Sequence, residues 1–425
     1  MKTPPSPSVS SAPAQNGRAL FTWSAQNEAV PLSITGGRGA RFETADGARW
    51  LDLGSMVWNA NLGQGHPGMR QALVAAAERA LVVSPASVFP DKLAAAEKLL
   101  AIAPPGLADG KVFICLSGAE ANENAVKIAL QVTGRKKIIH RTRSYHGATL
   151  GMLALSGDPR RLGFEVGVSV GVPWDDPYLV GPGAGGLEEL IEAQGPDDIA
   201  AVLLEGVVGA NGVEPPPAGY YQNIRRICDR HGVLFIADEV LSGFGRTGRW
   251  FAVDHDHTSP DLLVCGKGLT AGYAPGGAVV VSPRIARHFD QIPLRCGLTS
   301  YAHPLTCAAI VAAIDAYKEE SLIARAEQLG AWLSQRLLTW ARARAFVHEV
   351  RGLGLLWAIE LREPGSDRPA HPARMQQLAA GLRQKHLHVL KRDNLVFLAP
   401  PLVISEEELE EGLAHLGSAL DQIWG

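Results

Sequence analysis

Four short apolar runs of this sequence each lead into a residue type that can take part in chemistry. Ser117 follows the run KVFICL, Glu205 follows IAAVLL, Asp238 follows VLFIA, and Lys267 follows DLLVCG. In open α/β sheets, ligands bind beyond the carboxyl ends of the strands. Four such residues at one sheet edge are hard to explain as filling of a core, so we expect a binding or catalytic site there.

Three of these positions favour specific chemistry. Ser117-Gly118-Ala119 opens a predicted helix with small residues, and the free N–H groups and dipole of a helix N-terminus suit a phosphate. Burial of Lys267, which lies between two glycines, would lower the pKa of its amine and allow nucleophilic attack that forms a Schiff base. Asp238, at the end of a buried run, needs a cationic partner, which a protonated ring nitrogen would supply.

Ordinary structural roles stay open for the same residues. Ser117 could be a plain helix cap, Lys267 an exposed turn lysine, and Asp238 half of a structural salt bridge. Lys267 lacks a glycine five positions before it, which rejects a nucleotide-binding P-loop.

Two further patterns suggest sites that we do not expect. GFGRTG at 243–248 matches a dinucleotide fingerprint, but the segment that follows it is polar and aperiodic rather than helical. DHDH at 254–257 has metal-ligand residue types, but no second cluster lies near it in the sequence, so we predict a solvated loop and no metal site.

The elements that would position these residues alternate along the chain. Continuous apolar runs separated by helical patterns predict a mostly parallel sheet covered on both faces, that is, an α/β fold. The predicted strands are 111–116, 199–204, 233–237, 261–265 and 277–281, and the predicted helices are 119–132 and 219–230.

The domain organisation follows from changes of pattern along the chain. We expect a disordered tail over 1–19, an N-terminal segment over 20–65 that packs with a small domain, a large domain over 66–305 and a small α+β domain over 306–425. The N-terminal segment contains a predicted hairpin over 39–53, and the small domain contains predicted strands at 354–361 and near 395–399.

Composition excludes several function classes. The chain has 425 residues with 40 Lys and Arg against 43 Asp and Glu, a net charge of −3, which gives no bulk electrostatic argument for nucleic acid or an anionic membrane. No apolar run is long enough to predict a membrane span, and the N-terminus does not read as a secretory signal. Five scattered cysteines in mostly apolar context favour reduced thiols in a cytoplasm.

Several motifs in fixed order identify a family resemblance. The chain resembles the class III (omega) aminotransferases, which are fold-type I pyridoxal-phosphate enzymes, from about residue 21 to the C-terminus. The motifs are SGAEANENAVKIA (117–129), SYHG (144–147), ADEVLSGFGRTG (237–248), CGKGLTAGYAPGGAV (265–279) and TSYAHPLTCAA (299–309). TWSAQ (22–26) and LAPPLVIS (398–405) are similar to the subgroup of taurine–pyruvate and amine–pyruvate aminotransferases.

The resemblance implies a large seven-stranded sheet domain, a smaller domain and a role for each site residue. Lys267 would hold pyridoxal phosphate covalently and then transfer the proton, and Asp238 would pair with the pyridinium nitrogen. Tyr145 would stack on one ring face and Val240 on the other. Ser117, Gly118 and Ala119 would surround the phosphate, and His146 and Glu205 would also contact the cofactor. Thr299 would reach the phosphate in the neighbouring subunit, which implies a homodimer, possibly a dimer of dimers.

Departures from related branches bear on the substrate. The acetylornithine branch has an arginine where this chain has Phe397, so that residue cannot bind an α-carboxylate. The amine–pyruvate branch has a mobile arginine near Lys391 and Arg392, and Arg392 is our candidate for binding a carboxylate or sulfonate. Glu205 would be its counter-ion when no acid is bound. A solvated turn is the alternative for Arg392.

Two tryptophans are candidates for the wall of the substrate pocket. Trp58 matches an aromatic wall residue of the amine–pyruvate branch, and Trp23 would lie near it. Packing against the N-terminal hairpin is the alternative for both.

The sequence therefore predicts an aminotransferase with pyridoxal phosphate as cofactor. An amine or an amino acid whose amino group is not α would be the donor, and pyruvate or another 2-oxo acid the acceptor, in a ping-pong reaction. The alternatives are an aminomutase, epimerase or decarboxylating relative on the same fold, a non-catalytic cofactor-binding protein, and a nicotinamide-dependent oxidoreductase based on the glycine pattern at 243–248.

Overall fold

A computed structural model describes residues 18–164, 170–176 and 186–425. Its strands are β1 (Ile34–Arg38), β2 (Arg41–Thr44), β3 (Arg49–Asp52), β4 (Lys111–Cys115), β5 (Lys137–Arg141), β6 (Gly171–Trp174), β7 (Ile199–Glu205), β8 (Leu234–Asp238), β9 (Leu262–Cys265), β10 (Gly277–Val281), β11 (Val347–Leu353), β12 (Leu356–Leu361), β13 (Leu387–His388), β14 (Leu390–Arg392) and β15 (Leu395–Leu398). Its α-helices are α1 (Ser55–Trp58), α2 (Pro67–Arg79), α3 (Pro90–Leu100), α4 (Gly118–Thr133), α5 (Leu150–Ala154), α6 (Leu187–Gln194), α7 (Tyr220–His231), α8 (Pro283–His288), α9 (Pro304–Glu319), α10 (Leu322–Arg342), α11 (Pro372–Gln384) and α12 (Glu406–Trp424).

The central layer is a seven-stranded sheet in the order β4-β10-β9-β8-β7-β5-β6. Strand β10 pairs antiparallel with both β4 and β9, and the other pairs are parallel. Because β10 is antiparallel to both of its neighbours, β4 and β9 are parallel to each other, and β4 therefore runs in the same direction as β9, β8 and β7. The carboxyl ends of these four strands therefore meet at one edge, and the predicted α/β fold is confirmed.

The sheet is buried on both faces, which explains why its strands read as continuous apolar runs. In β8, Phe235 and Ala237 belong to one apolar cluster, while Leu234 and Ile236 belong to another. Helix α4 packs against β10 and β9, and α7 packs against β8. Each face of the sheet thus has its own layer of side chains.

The two helices that follow strand ends begin and end at residues suited to those positions. The Ser117 side chain accepts a hydrogen bond from the Glu120 N–H at the start of α4, and Gly134 ends that helix in the left-handed conformation. Gly232 ends α7 in the same way. The predicted hairpin near the N-terminus is also present, with Phe42 opposite Trp50.

Two smaller sheets flank the central one. The N-terminal strands form the sheet β1-β2-β3, which β13 from the C-terminal region completes by parallel pairing with β3. The second sheet has the order β11-β12-β15-β14. Sequence reasoning missed the strands β1, β5, β6, β11, β13 and β14, and it began the strand β12 two residues early. The tail expected over 1–19 lies outside the described residues except for its last two positions.

The part of the chain that the structure describes contains no helix with the length and apolar character needed to cross a membrane. All five cysteines are free thiols, and four of them are buried.

Candidate functional site

The predicted residues converge at the common edge of the central sheet. Glu205 and Asp238 end the neighbouring parallel strands β7 and β8 and are register partners. The next strand, β9, leads directly into Gly266-Lys267, and β4 leads into Ser117 at the start of α4. The parallel directions of these four strands thus bring the lysine, both carboxylates and the helix N-terminus together.

Asp238 is buried and accepts three hydrogen bonds. Its Oδ1 accepts from the Val240 N–H at 3.0 Å, and its Oδ2 lies 2.8 Å from the Asn122 amide nitrogen and 2.7 Å from His146 Nδ1. These donors stabilise the charged form of a carboxylate away from water. His146 Nε2 and Asn122 Oδ1 are buried without a hydrogen-bond partner among the described residues.

Lys267 has the properties of an activated amine. Burial lowers its pKa to about 8, although the negative charges of Asp238 and Glu205 act in the opposite direction. Its backbone has a φ of 42°, a conformation that costs energy in a residue other than glycine. Its Nζ lies 5.4 Å from the centre of the Trp58 ring. The exposed-turn alternative is therefore wrong.

Glu205 is held by backbone groups rather than by a cation. Its Oε1 accepts from the Tyr145 N–H and its Oε2 from the Gly209 N–H, both at 3.0 Å. Burial raises the pKa of this carboxyl. The contact with Tyr145 links the end of β7 to the SYHG segment.

The start of α4 is closely packed against the strand ends. A Cβ added at Gly118 would lie 2.8 Å from Val240 Cγ1, and one at Gly266 would lie 3.1 Å from the same atom. A Cβ at Gly147 would meet the Ala119 side chain at 2.6 Å. Small residues are therefore required where Ser117 caps the helix.

Tyr145 forms one layer of a three-membered stack. The Arg160 guanidinium carbon lies 3.7 Å from the centre of the Tyr145 ring and 5.1 Å from the centre of the Trp23 ring. Burial raises the pKa of the Tyr145 hydroxyl. Trp23 is thus connected to the site through Arg160, not through the N-terminal hairpin.

Trp58 lies between the lysine and an apolar wall. Its ring packs edge-on against Phe397 at 5.5 Å between centres, and Phe397 is buried in β15. Positive φ angles at Ser55, Met56 and Trp58 show that this turn is strained. Packing against the hairpin is therefore not the role of Trp58 either.

The expected pairing of Arg392 with Glu205 is wrong. Arg392 Nη1 instead donates to Asp158 Oδ2 at 2.7 Å and to the Ala210 carbonyl at 3.2 Å. Glu205 instead accepts the backbone N–H groups of Tyr145 and Gly209. Arg392 ends β14, next to the strand that carries Phe397.

The two decoy patterns have structural roles. Arg246 of the glycine-rich segment is buried, and it donates to the carbonyls of Leu355 and Pro400, to Ser55 Oγ and to Asn61 Oδ1. In the segment 254–257, Asp256 accepts from the Gly219 and Tyr221 N–H groups at the start of α7. Both patterns therefore hold elements together.

Sequence reasoning missed three residues of the site. Asn122 lies inside the SGAEANENA motif, one turn into α4. Its place one turn after Ser117 is the feature of the sequence that could have identified it. Asp158 and Arg160 belong to a turn after α5 that follows no predicted strand, so no strand-end argument could identify them.

A family model for class-III aminotransferases matches residues 22–420. This chain belongs to the class-III aminotransferases. The acetylornithine aminotransferase of Methanopyrus kandleri is 37% identical to it, covering 92% of this chain and 94% of the relative. A probable 4-aminobutyrate aminotransferase of Bacillus subtilis is 31% identical, covering 97% and 98%.

Solved class-III structures superpose over nearly the whole chain. The taurine:2-oxoglutarate aminotransferase of Bifidobacterium kashiwanohense, in complex with pyridoxal phosphate and glutamate, has a TM-score of 0.88 and 36% identity, covering 95% of both chains. An aminotransferase of Vibrio fluvialis has a TM-score of 0.87 and 28% identity, covering 96% of both chains. The predicted family, the fold type I and the enzyme class are confirmed.

Class-III aminotransferases use pyridoxal phosphate, and the residues present fit that cofactor. The site offers an amine of lowered pKa, a buried carboxylate that could pair with a cation, an aromatic ring, and a helix N-terminus where only small residues fit. The buried Nε2 atom of His146 has no partner among the described residues, which leaves a polar atom available beside Asp238.

Proposed function

We propose that this class-III aminotransferase transfers an amino group from an amine or an ω-amino acid to pyruvate or another 2-oxo acid in a ping-pong reaction. The arrangement of Lys267, Trp58 and Phe397 carries this proposal. The Trp58 and Phe397 rings form an aromatic and apolar wall next to the Lys267 amine. An α-carboxylate placed against this wall would need a cation as its partner. A donor whose reacting carbon bears no carboxylate can place an apolar group against that wall, and the carboxylate of the 2-oxo acid would have to lie away from it.

Lys267 is the residue that we propose to react and to move the proton. Bound pyridoxal phosphate would supply an aldehyde that takes up and returns the amino group, and a ring that withdraws electrons. A pKa of about 8 gives Lys267 an appreciable neutral fraction near neutral pH. The amine can therefore attack, and it can then accept and return a proton at Nζ.

The surrounding residues would hold and orient the cofactor. Asp238 would keep the ring nitrogen protonated, supported by its own hydrogen bonds from Asn122, His146 and the Val240 N–H. Tyr145 and Val240 would cover the ring faces. The first N–H groups of α4, after Ser117, would bind the phosphate.

We propose a homodimer in which Thr299 contacts the partner's cofactor. Thr299 is exposed on this chain and lies just before α9, so its side chain is available to a second copy. Replacement of Thr299 by Ala should weaken cofactor retention without changing the absorption maximum. A monomeric holoenzyme in analytical ultracentrifugation would contradict this part of the proposal.

The decisive experiment is a donor screen on the holoenzyme. Taurine, β-alanine, a polyamine and an aromatic amine are added singly, and the visible band of the bound cofactor is followed. We expect a donor to bleach the band and pyruvate to restore it. Taurine is included because the Bifidobacterium relative acts on it by name. Product analysis that shows rearrangement or decarboxylation without net amino transfer would favour the alternative reactions.

A further inference from the structure

A tight turn over 209–214, after β7, contains a strained valine. Val213 has a φ of 53°, a conformation that costs energy in a β-branched residue. The N–H groups of Gly212 and Val213 both donate to the Gly209 carbonyl at 3.0 Å, which closes the turn. Strain of this kind persists only where the surrounding contacts fix the backbone. The contacts of the turn therefore decide where the Val213 side chain lies.

The Val213 side chain is part of the apolar cluster that supports the proposed substrate wall. It is fully buried and belongs to the same cluster as Phe397, and Trp58 packs against that cluster. The same turn carries the Gly209 N–H that donates to Glu205. A shift of the turn would therefore disturb both the wall and the end of β7.

Arg351 of β11 contacts both chain neighbours of Val213. Its Nε donates to the Gly212 carbonyl at 2.9 Å and lies 3.1 Å from Glu214 Oε1. A Cβ added at Gly212 would lie 3.0 Å from Arg351 Nη2, so the glycine lets the guanidinium approach the backbone closely. One guanidinium thus holds the two residues between which the strained valine lies.

The Arg351 guanidinium is itself held by its own sheet. Its Nη1 donates to Glu349 Oε2 at 2.8 Å and to Glu360 Oε2 at 2.7 Å. These two glutamates are register partners on β11 and β12, and the Arg351 side chain is only 10% exposed. Because a planar fork with fixed acceptors loses little additional freedom when it binds another group, Arg351 forms a rigid link from this sheet to the turn.

We propose that Arg351 is a positioning residue that holds Val213 in the cluster behind the apolar wall and thereby sets the preference of the enzyme for the apolar group of the donor. This inference rests on the proposed function and adds to it a residue that acts on specificity without touching the donor. Without Arg351, the turn would lose its bonds at Gly212 and Glu214. Val213 would then be free to relax to a negative φ and to leave its place in the cluster.

The test compares Arg351→Gln with the wild-type holoenzyme, with pyruvate as acceptor. Benzylamine is the large apolar donor and propylamine the small one. Because benzylamine would cover more of the wall, the ratio of its kcat/KM to that of propylamine should fall about 5- to 20-fold. An unchanged ratio would overturn the inference. An equal loss of activity with both donors would do the same, because it would indicate general structural damage.

Arg362→Gln is the matched control. Arg362 follows β12 and also binds one carbonyl and one carboxylate, the Ala345 oxygen at 3.0 Å and Asp367 Oδ1 at 3.2 Å. Among the described residues, no hydrogen bond or ion pair joins it to the turn. Its ratio should stay within about 2-fold of the wild-type ratio. If the control lowered the ratio as much as Arg351→Gln, a specific role of Arg351 would be refuted.

A coupled substitution tests whether Arg351 acts through Val213. Glycine adopts a positive φ at no steric cost, so Val213→Gly removes both the strain that Arg351 opposes and the side chain that it positions. In the Val213→Gly background, Arg351→Gln should change the ratio by less than about 2-fold. Multiplicative effects of the two substitutions would contradict the inference.

Glu214→Gln provides the measurement if Arg351→Gln does not fold. It keeps the shape of the side chain and removes the charge that pairs with Arg351, so the ratio should fall about 2- to 5-fold. No fall would again reject the inference. A wild type that reacts with propylamine but not with benzylamine would remove the inference alone. Failure of every amine and ω-amino acid donor with the wild type would instead reject the proposed function.

Discussion

His146 and Asp238 form a buried pair, with Nδ1 of the imidazole 2.7 Å from Oδ2 of the carboxylate. A carboxylate only accepts hydrogen bonds, so Nδ1 carries the proton and donates. The other ring nitrogen is buried and has no partner among the described residues. The pair therefore fixes the position of the carboxylate that we assign to the cofactor ring.

Replacement of His146 by Ala should lower kcat/KM by about 10- to 100-fold, the cost of one charge-assisted hydrogen bond. Asp238 would keep only the Asn122 and Val240 donors. Steady-state kinetics with a bleaching donor measures the effect. The exposed His348, changed to Ala, serves as the control, and equal activity of the two variants would contradict the role of the pair.

Replacement of Lys267 by Ala should reduce turnover by at least about 10³-fold, because the chain would lose both its nucleophile and its proton carrier. Pyridoxal phosphate can still bind without a covalent bond, so turnover is the measurement rather than colour. Lys318→Ala, on the exposed end of α9, should retain wild-type turnover. Normal transamination by Lys267→Ala would refute the assignment.

Reconstitution of the cofactor-free enzyme with pyridoxal phosphate should accelerate as pH rises and level off above about pH 8. The neutral amine is the nucleophile, and a pKa of about 8 leaves it ~10% neutral at pH 7, against ~0.03% for an ordinary lysine. Stopped-flow absorbance between pH 6 and 10 follows the reaction. A rate that still rises tenfold per unit at pH 9 to 10 would show an ordinary pKa.

Replacement of Gly118 by Ala should weaken binding of pyridoxal phosphate by about 10-fold or more, because the new Cβ would lie 2.8 and 2.9 Å from the two methyl groups of Val240. Val240→Ala removes those methyl groups, so the double variant should bind the cofactor more tightly than Gly118→Ala. Equilibrium titration of the cofactor-free proteins measures both. Equal affinities of the single and double variants would contradict a steric cause.

Replacement of Arg246 by Met should cost roughly 3 kcal/mol or more of unfolding free energy, because four buried oxygen acceptors would lose their donor. Urea denaturation of the holoenzyme gives the change in midpoint. Arg336→Met, which removes an exposed pair with Glu410, should cost less than about 1 kcal/mol. Similar midpoints for the two variants would show that Arg246 is not a structural clamp.

The core of the fold follows from local patterns in the sequence. Strands buried on both faces read as continuous apolar runs, and glycines that end helices mark their limits, so β4, β7, β8, β9 and β10 were predicted within one or two residues. Strand β11 was missed because its seven residues, VHEVRGL, are mostly polar or half-buried. Strand β5 was missed because charged residues begin and end it.

The site was predictable only where it depends on strand ends. Lys267, Asp238, Glu205 and Ser117 follow buried runs, and parallel pairing brings such ends together. The partner of Arg392 could not be found in this way, because Asp158 is 234 positions away in the sequence and lies in a turn. Contacts between distant turns depend on tertiary packing, which leaves no periodic signal.

The reversed strand β10 also sets an order of events during synthesis. Among the described residues, β4 is an edge strand that pairs with β10 alone, and β10 comes about 165 residues later in the chain. On the ribosome, the segment that carries Ser117 must therefore wait, unpaired, until Val281 has been translated. A nascent chain shorter than this cannot retain the coenzyme, whose capture comes late in biogenesis.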